Sequence, residues 1–323
     1  MTKQYIDVFN GDADGLCALV QLRRANPQPS LLITGVKRDI NLLHGLQVQG
    51  DEHITVLDIS FEKNAKDVQR LLDQGCTLDY FDHHKTGDLI NHPKLNSDID
   101  LSPNTCTSLI LDRRLKGRFH AWAITAAFGD NLLNKAYELG LAVGFNDAKL
   151  TILKQLGMCL NYNGYGSSLD DLFFHPAELY QKLKIFDTPF EFVEHDAETY
   201  QTLIDGYQQD MNKTRQIKPL HTTAFSEVVL LPNAKWARRV RGVFSNEMAN
   251  RDPDKAHAVL TEQELGHYLV SIRAPLNRNK GADVLASQFP TGGGRKAAAG
   301  INVLPQKELS NFINAFDKQF LER

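Results

Sequence analysis

The chain has 323 residues, 42% of them hydrophobic, which is enough for two ordinary domains and too long for one small core. Lysine and arginine total 36 against 39 aspartate and glutamate, a formal net charge of -3. This disfavours a protein that grips long nucleic acid by its backbone, but it leaves room for a short phosphate ester. There is no signal peptide or long uninterrupted apolar run, and Cys17, Cys76, Cys106 and Cys159 show no zinc-type spacing, so the expectation is a cytoplasmic protein with free cysteines and no membrane contact.

In chain order, residues 5–9 read as a strand, 15–25 as a helix, and 31–36 and 54–58 as strands. Residues 62–74 form an amphipathic helix closed by Gly75, and 77–81 return to strand. Strands separated by single helical segments imply right-handed crossovers and a largely parallel sheet. Helical periodicity then covers 105–115, 120–128, 131–143, 146–156 and 176–185, with a turn or mobile loop at 161–168. Residues 187–224 are polar and helical, with Tyr200, Leu203, Ile204 and Tyr207 at helix spacing, and read as a bridge between domains. A second α/β unit contains strands near 225–231, 256–260 and 267–273, a glycine-rich loop at 292–300 and a terminal helix at 306–320. The fold class is therefore α/β: a largely parallel-sheet domain over 1–190, a helical linker over 191–224 and a smaller α/β domain over 225–323.

In a parallel sheet, functional groups gather where strands end. Asp12 and Asp14 follow the first strand within Asn10-Gly11-Asp12-Ala13-Asp14-Gly15, where they can reach two neighbouring divalent ions or simply cap the next helix. Asp58 ends another strand and could bridge two ions, since a buried carboxylate there needs positive charge. Asp82-His83-His84-Lys85 adds imidazole beside it. Thr105 is placed to cap the helix after Pro103, and His120 lies just before the following helix. In the second unit, Gly292, Gly293, Gly294 and Arg295 suit either a tight turn or a phosphate-binding loop, with Arg273 at the end of a strand as a second cation.

These segments resemble the motifs of the DHH phosphoesterase superfamily, in its branch with a C-terminal DHHA1 domain and close to the oligoribonucleases. The matching residues are Asn10 to Gly15, Asp58, Asp82-His83-His84, Ala126-Ala127-Phe128-Gly129-Asp130, and Gly292-Gly293-Gly294-Arg295 followed by small residues. The resemblance implies a core of two divalent ions, usually manganese. Asp12 would serve one ion, Asp14, His83 and Asp130 the other, and Asp58 would bridge them. It implies that His84 contacts the scissile phosphate, that Asp82 orients a ligand or handles a proton, and that the second domain binds the far end of the substrate. Asn10 stands where many members have histidine, so it would offer a weaker amide oxygen, and Arg295 replaces another histidine.

The expected activity is hydrolysis of linear dinucleotides, such as pGpG-like products of cyclic dinucleotide turnover, or of very short RNA, through two-metal activation of water. Long duplexes are not expected as substrates. Alternatives are an exonuclease on longer single strands, with Tyr162 and Tyr165 as stacking platforms, and hydrolysis of cyclic dinucleotide, phosphoadenosine phosphate, pyrophosphate or polyphosphate. A non-enzymatic alternative is a nucleotide-binding regulator.

Overall fold

The computed structural model describes residues 4–321, which divide into two compact units whose boundary in the chain falls between Tyr207 and Gln208. In the first unit, β1 (Tyr5–Phe9) leads into α1 (Ala13–Ala25), followed by β2 (Leu31–Thr34), β3 (His53–Leu57), α2 (Phe61–Asp73), β4 (Thr77–Asp82) and β5 (Leu95–Ile99). All pairings are parallel, in the order β2-β1-β3-β4-β5. Central strands β1, β3 and β4 are buried on both faces, which explains their near-continuous apolar runs. Edge strand β5, Leu-Asn-Ser-Asp-Ile, is half exposed and lacks such a run, so it carries no strand signal of its own.

Register carries the consequence for function. Phe9 pairs with Leu57 and Leu57 with Phe81, so the chain leaves β1, β3 and β4 at the same level. The strand order reverses between β1 and β3, the point where an open parallel sheet leaves a crevice beyond its strand ends.

The rest of this unit is helical: α3 (Thr107–Arg114), α4 (His120–Gly129), α5 (Leu133–Ala142), α6 (Asp147–Asn163), α7 (Pro176–Leu183), α8 (Pro189–His195) and α9 (Ala197–Thr214), the last continuing past Tyr207. Buried residues of α1, α3, α4 and α6 form one core with Phe9, Leu57 and Phe81, while Val68, Leu71 and Leu72 of α2 meet Val56, Leu78 and Tyr80 in another. Helix α6 runs to Asn163, so part of the expected 161–168 loop is helix. Tyr162 is buried against Tyr207 and Phe173, which removes it as a stacking platform. Phe192, Leu203 and Ile204, within the segment read as a polar bridge, lie in the core of this unit.

The second unit contains β6 (Pro219–Thr222), β7 (Ser226–Leu231), α10 (Lys235–Arg251), β8 (Ala256–Gln263), β9 (His267–Arg273), α11 (Ala282–Ala286), β10 (Gly292–Gly294), β11 (Ala298–Pro305) and α12 (Leu309–Phe320). Its mixed sheet has the order β10-β11-β9-β8-β7-β6, with β7 and β8 parallel and the other pairs antiparallel. Phe312, Phe316 and Phe320, four residues apart on α12, bury against this sheet and α11.

Candidate metal centre

At the end of β1 the chain turns directly into α1. Asp12 is the N-cap, its Oδ1 accepting from the amides of Asp14 (3.0 Å) and Gly15 (3.1 Å), so the capping reading holds for one of its oxygens. Asp14 faces the other way and does for α3 what Thr105 was expected to do. The amides of Thr107 and Ser108 both donate to its carboxylate at 2.7 Å, while the Thr105 hydroxyl is buried without a hydrogen-bond partner among the described residues. Asp14 thereby meets the positive end of α3 and fixes that helix on the strand edge.

Asp58 follows β3 with φ 58°, a left-handed conformation that a non-glycine residue adopts only where its surroundings demand it. This turns its carboxylate inward, 3.4 Å from His83 Nε2 and within reach of the Thr107 hydroxyl at 3.3 Å. The same His83 nitrogen lies 3.9 Å from Asp14 Oδ2 and 3.8 Å from Asp130 Oδ2. Asp130 comes from the end of α4, where Gly129 lets that helix approach closely: a Cβ there would lie 2.4 Å from Ala13 Cβ and 2.7 Å from the Gly157 carbonyl oxygen. Asp82, buried at the end of β4, hydrogen-bonds His84 Nδ1 at 2.7 Å through one oxygen and accepts from the Phe61 amide through the other. That bond fixes the orientation of the partly exposed His84 ring.

Asp12, Asp14, Asp58 and Asp82 are all essentially buried, and the electrostatics record the crowding. Burial first, and then repulsion from Asp14, Asp12, Asp130 and Asp82, pushes the Asp58 carboxyl far above the usual carboxylate range. Burial and Asp14 raise Asp130 to about 6 despite the opposing pull of Lys37. For His84, burial opposes protonation, but the Asp82 hydrogen bond and charge outweigh it and raise its pKa.

Such a cluster calls for added positive charge, and its spacing suits a cation. Ligands at about 2.0–2.2 Å from one ion lie roughly 3–4 Å from each other, and the His83-to-carboxylate distances fall in that range. Asp58, His83 and His84 each also offer a ligand atom within 4.8 Å of the others.

The residue that sequence reasoning missed is Lys37. It follows β2, whose C-terminal end faces the same crevice, and its Nζ lies 2.5 Å from Asp12 Oδ2 and 2.8 Å from Asn161 Oδ1. Burial tends to raise Asp12 and to lower Lys37, but their mutual attraction prevails: Asp12 is held below the usual carboxylate range and Lys37 is raised. Asn10 turns its side chain to the main chain, donating to the Lys37 carbonyl at 3.1 Å and accepting from the Asp12 amide at 3.3 Å. The signal available in the sequence was a cation shortly after a strand end. His120, at the start of α4, pairs with Asp112 at 2.7 Å.

In the second unit the glycine-rich segment is strand and hairpin instead of open loop. Gly292, Gly293 and Gly294 pair with Ile301, Gly300 and Ala299, and Arg295 and Ala298 exchange backbone hydrogen bonds across the tip. Gly294, at φ 149°, has no room for a Cβ beside Ala299. Arg295 is exposed at this tip. Arg273, paired with Ala298 in the adjacent strand, donates from Nε to Asn246 at 2.8 Å. The two arginines thus share one end of this sheet.

A parallel-sheet unit with acids and histidines at its switch point, followed by a mixed-sheet unit, is the two-part α/β fold that the sequence led us to expect. The fold resembles a DHH-domain protein described as a member of a family of ribosomal proteins (TM-score 0.65, 14% identity, 99% of this chain and 87% of the other). It also resembles the exonuclease RecJ bound to manganese (TM-score 0.64, 16% identity, covering 99% and 91%). A third likeness is to PggH, a pGpG-specific phosphodiesterase from Vibrio cholerae (TM-score 0.56, 12% identity, covering 98% and 99%). At these identities the likeness establishes a shared fold. No protein-family model and no curated protein matches the sequence. Among the described residues, no helix is long and apolar enough to cross a membrane.

Proposed function

We propose that the protein is a metal-dependent phosphodiesterase that hydrolyses linear dinucleotides or very short oligoribonucleotides to mononucleotides. The observation that carries this reading is the convergence of Asp14, Asp58 and Asp130 on His83 Nε2, beside an Asp82–His84 pair at the mouth of the sheet. A bound divalent ion, manganese in our reading, would neutralise phosphate charge and make a water acidic enough to attack at neutral pH. Asp14, Asp58, His83 and Asp130 would hold that ion. The second ion implied by the resemblance would fall beside Asp12, where the Lys37 ammonium lies.

The chain's own groups supply the rest. Asp82 holds the His84 ring by Nδ1, leaving Nε2 to donate to a phosphate oxygen or to the departing hydroxyl. Arg273, Arg295 and the amides of Gly292 to Gly294 would bind the other end of the substrate, with Arg295 as a planar donor to a terminal phosphate. Support for a short substrate comes from the net charge of -3, from the burial of Tyr162 and from the likeness to a phosphodiesterase described as pGpG-specific. That likeness, with the manganese-bound RecJ, also supports phosphodiester chemistry.

The test is cleavage of 5′-phosphorylated oligoribonucleotides two to twenty nucleotides long by the full-length protein with Mn²⁺. Dinucleotides should be consumed fastest, with rates falling as length increases. Equal rates at all lengths would defeat the short-substrate reading, and persistent cleavage of long strands would favour an exonuclease. Nucleotide binding without turnover under Mn²⁺, Mg²⁺ or Co²⁺ would favour a regulator.

A further inference from the structure

The Asp12 side of the centre is filled by a cation that the chain itself supplies. Lys37 Nζ donates to Asp12 Oδ2 at 2.5 Å and to Asn161 Oδ1 at 2.8 Å, with Asp130 Oδ1 at 3.8 Å on a third side. The backbone of Lys37 is tied down as firmly: its N–H donates to the Gly164 carbonyl at 2.8 Å, and its carbonyl accepts from Asn10 Nδ2 at 3.1 Å. The Tyr165 ring lies 6.0 Å from the ammonium. These contacts come from the β2 loop, the first-motif turn, the end of α6 and the end of α4, so the ammonium has one place to be.

The groups that would otherwise hold an ion here are spent elsewhere. Asn10, where the resembled motif carries histidine, directs its Oδ1 to the Asp12 amide and its Nδ2 to Lys37 itself. Asp12 commits Oδ1 to the start of α1 and Oδ2 to the ammonium. A divalent ion bound to Asp12 Oδ2 at about 2.1 Å would compete for the same space and carry a like charge. Asn10 and Lys37 are thus coupled: the asparagine side chain is turned to the main chain and positions the loop that delivers the ammonium.

We infer that Lys37 takes the place of one of the two metal ions, so that this protein works with one divalent ion, at His83, and one fixed ammonium, at Asp12. An ammonium is a compact point charge with three donors, suited to a phosphate oxygen as well as to the carboxylates that flank it. It requires no metal loading, so half of the cationic clamp is present as soon as the chain folds. The inference rests on the metal-dependent reading proposed above, but it specifies a number that the reading alone leaves open.

The experiment is a count of bound metal on the full-length protein, stripped with chelator and titrated with Mn²⁺ alone. Stoichiometry would be read by calorimetry and elemental analysis, and Mn²⁺ electron paramagnetic resonance would separate an isolated ion from a coupled pair. One ion per chain with the spectrum of isolated Mn²⁺ is expected. Two ions with a coupled spectrum would overturn the role of Lys37 and leave a metal-dependent enzyme standing, whereas no bound ion would overturn both. The double variant Asn10→His/Lys37→Met, checked for native circular dichroism, should gain a second, coupled ion. If it folds and still binds one, Lys37 is not what excludes the second. If it fails to fold, the count on the unaltered protein decides.

Discussion

Asp58 holds its backbone at φ 58°, where a left-handed non-glycine residue costs on the order of 1–3 kcal/mol. Its carboxylate is the one nearest His83 Nε2, so Asp58→Ala should abolish Mn²⁺ binding, measured by calorimetry, and reduce dinucleotide turnover to background while the protein stays folded. Asp82 acts differently, through the 2.7 Å bond that orients His84. Removing a supporting partner of this kind costs about 10–100-fold, so Asp82→Asn should lower kcat by that factor. Loss of a positioned acid or base costs about 10²–10⁴-fold, so His84→Ala should lower it further. Because the first effect passes through the second, adding Asp82→Asn to His84→Ala should change little, and full additivity in the double-mutant cycle would count against the pairing.

At the scale of elements, the site depends on how closely α4 approaches α1 and α6. Gly129 permits that contact and lies next to Asp130, so Gly129→Val should both destabilise the protein and displace Asp130, a ligand in the proposed centre. Overpacking of a tight core costs about 1–3 kcal/mol, which a urea melt would register, together with weaker Mn²⁺ binding. A second element-level test concerns the β3–β4 pairing, where His53 Nε2 lies 2.6 Å from Asp79 Oδ2. The His53 hydrogen bond, aided by Asn96, holds the Asp79 carboxyl below its ordinary value against the effect of burial. A depressed carboxylate pKa contributes stability that is fully present above the unfolded value and is lost as pH falls through the folded one. Asp79→Asn should therefore melt below the unaltered protein at neutral pH, and the two melting curves should converge in the acid range; a constant difference down to about pH 2 would contradict the linkage.

For the whole molecule, α8 and α9 decide where the first unit can be cut. Phe192, Leu203 and Ile204 are buried in its core. Losing a large buried side chain costs about 2–5 kcal/mol, so a fragment ending at residue 190 should melt far below one ending at 214. The longer fragment keeps the Asp12, Asp58, Asp82 and Asp130 segments together and should still bind Mn²⁺. It lacks Arg273 and Arg295, so its dinucleotide KM should rise while Mn²⁺ binding is preserved. Calorimetry and dinucleotide kinetics on that fragment test both statements, and an unchanged KM would remove the second unit from substrate binding.

What the amino-acid sequence determined by itself was whatever is written in local order. The apolar runs leading to Asp12, Asp58 and Asp82 marked three strands and the edge where their acids meet, because a parallel sheet places strand ends together. The apolar spacing of the helices was legible for the same reason. Only the tertiary structure decided what depends on partners distant in the chain. Edge strand β5 has no apolar run to announce it, and Gly292 to Gly294 become strand only because β11 pairs with them. Asp14 caps a helix more than ninety residues away, which no local pattern encodes. Lys37 looks like any surface lysine until β2 is set beside β1 and α6 brings Asn161 to the same place, so the ammonium beside Asp12 was placed by packing.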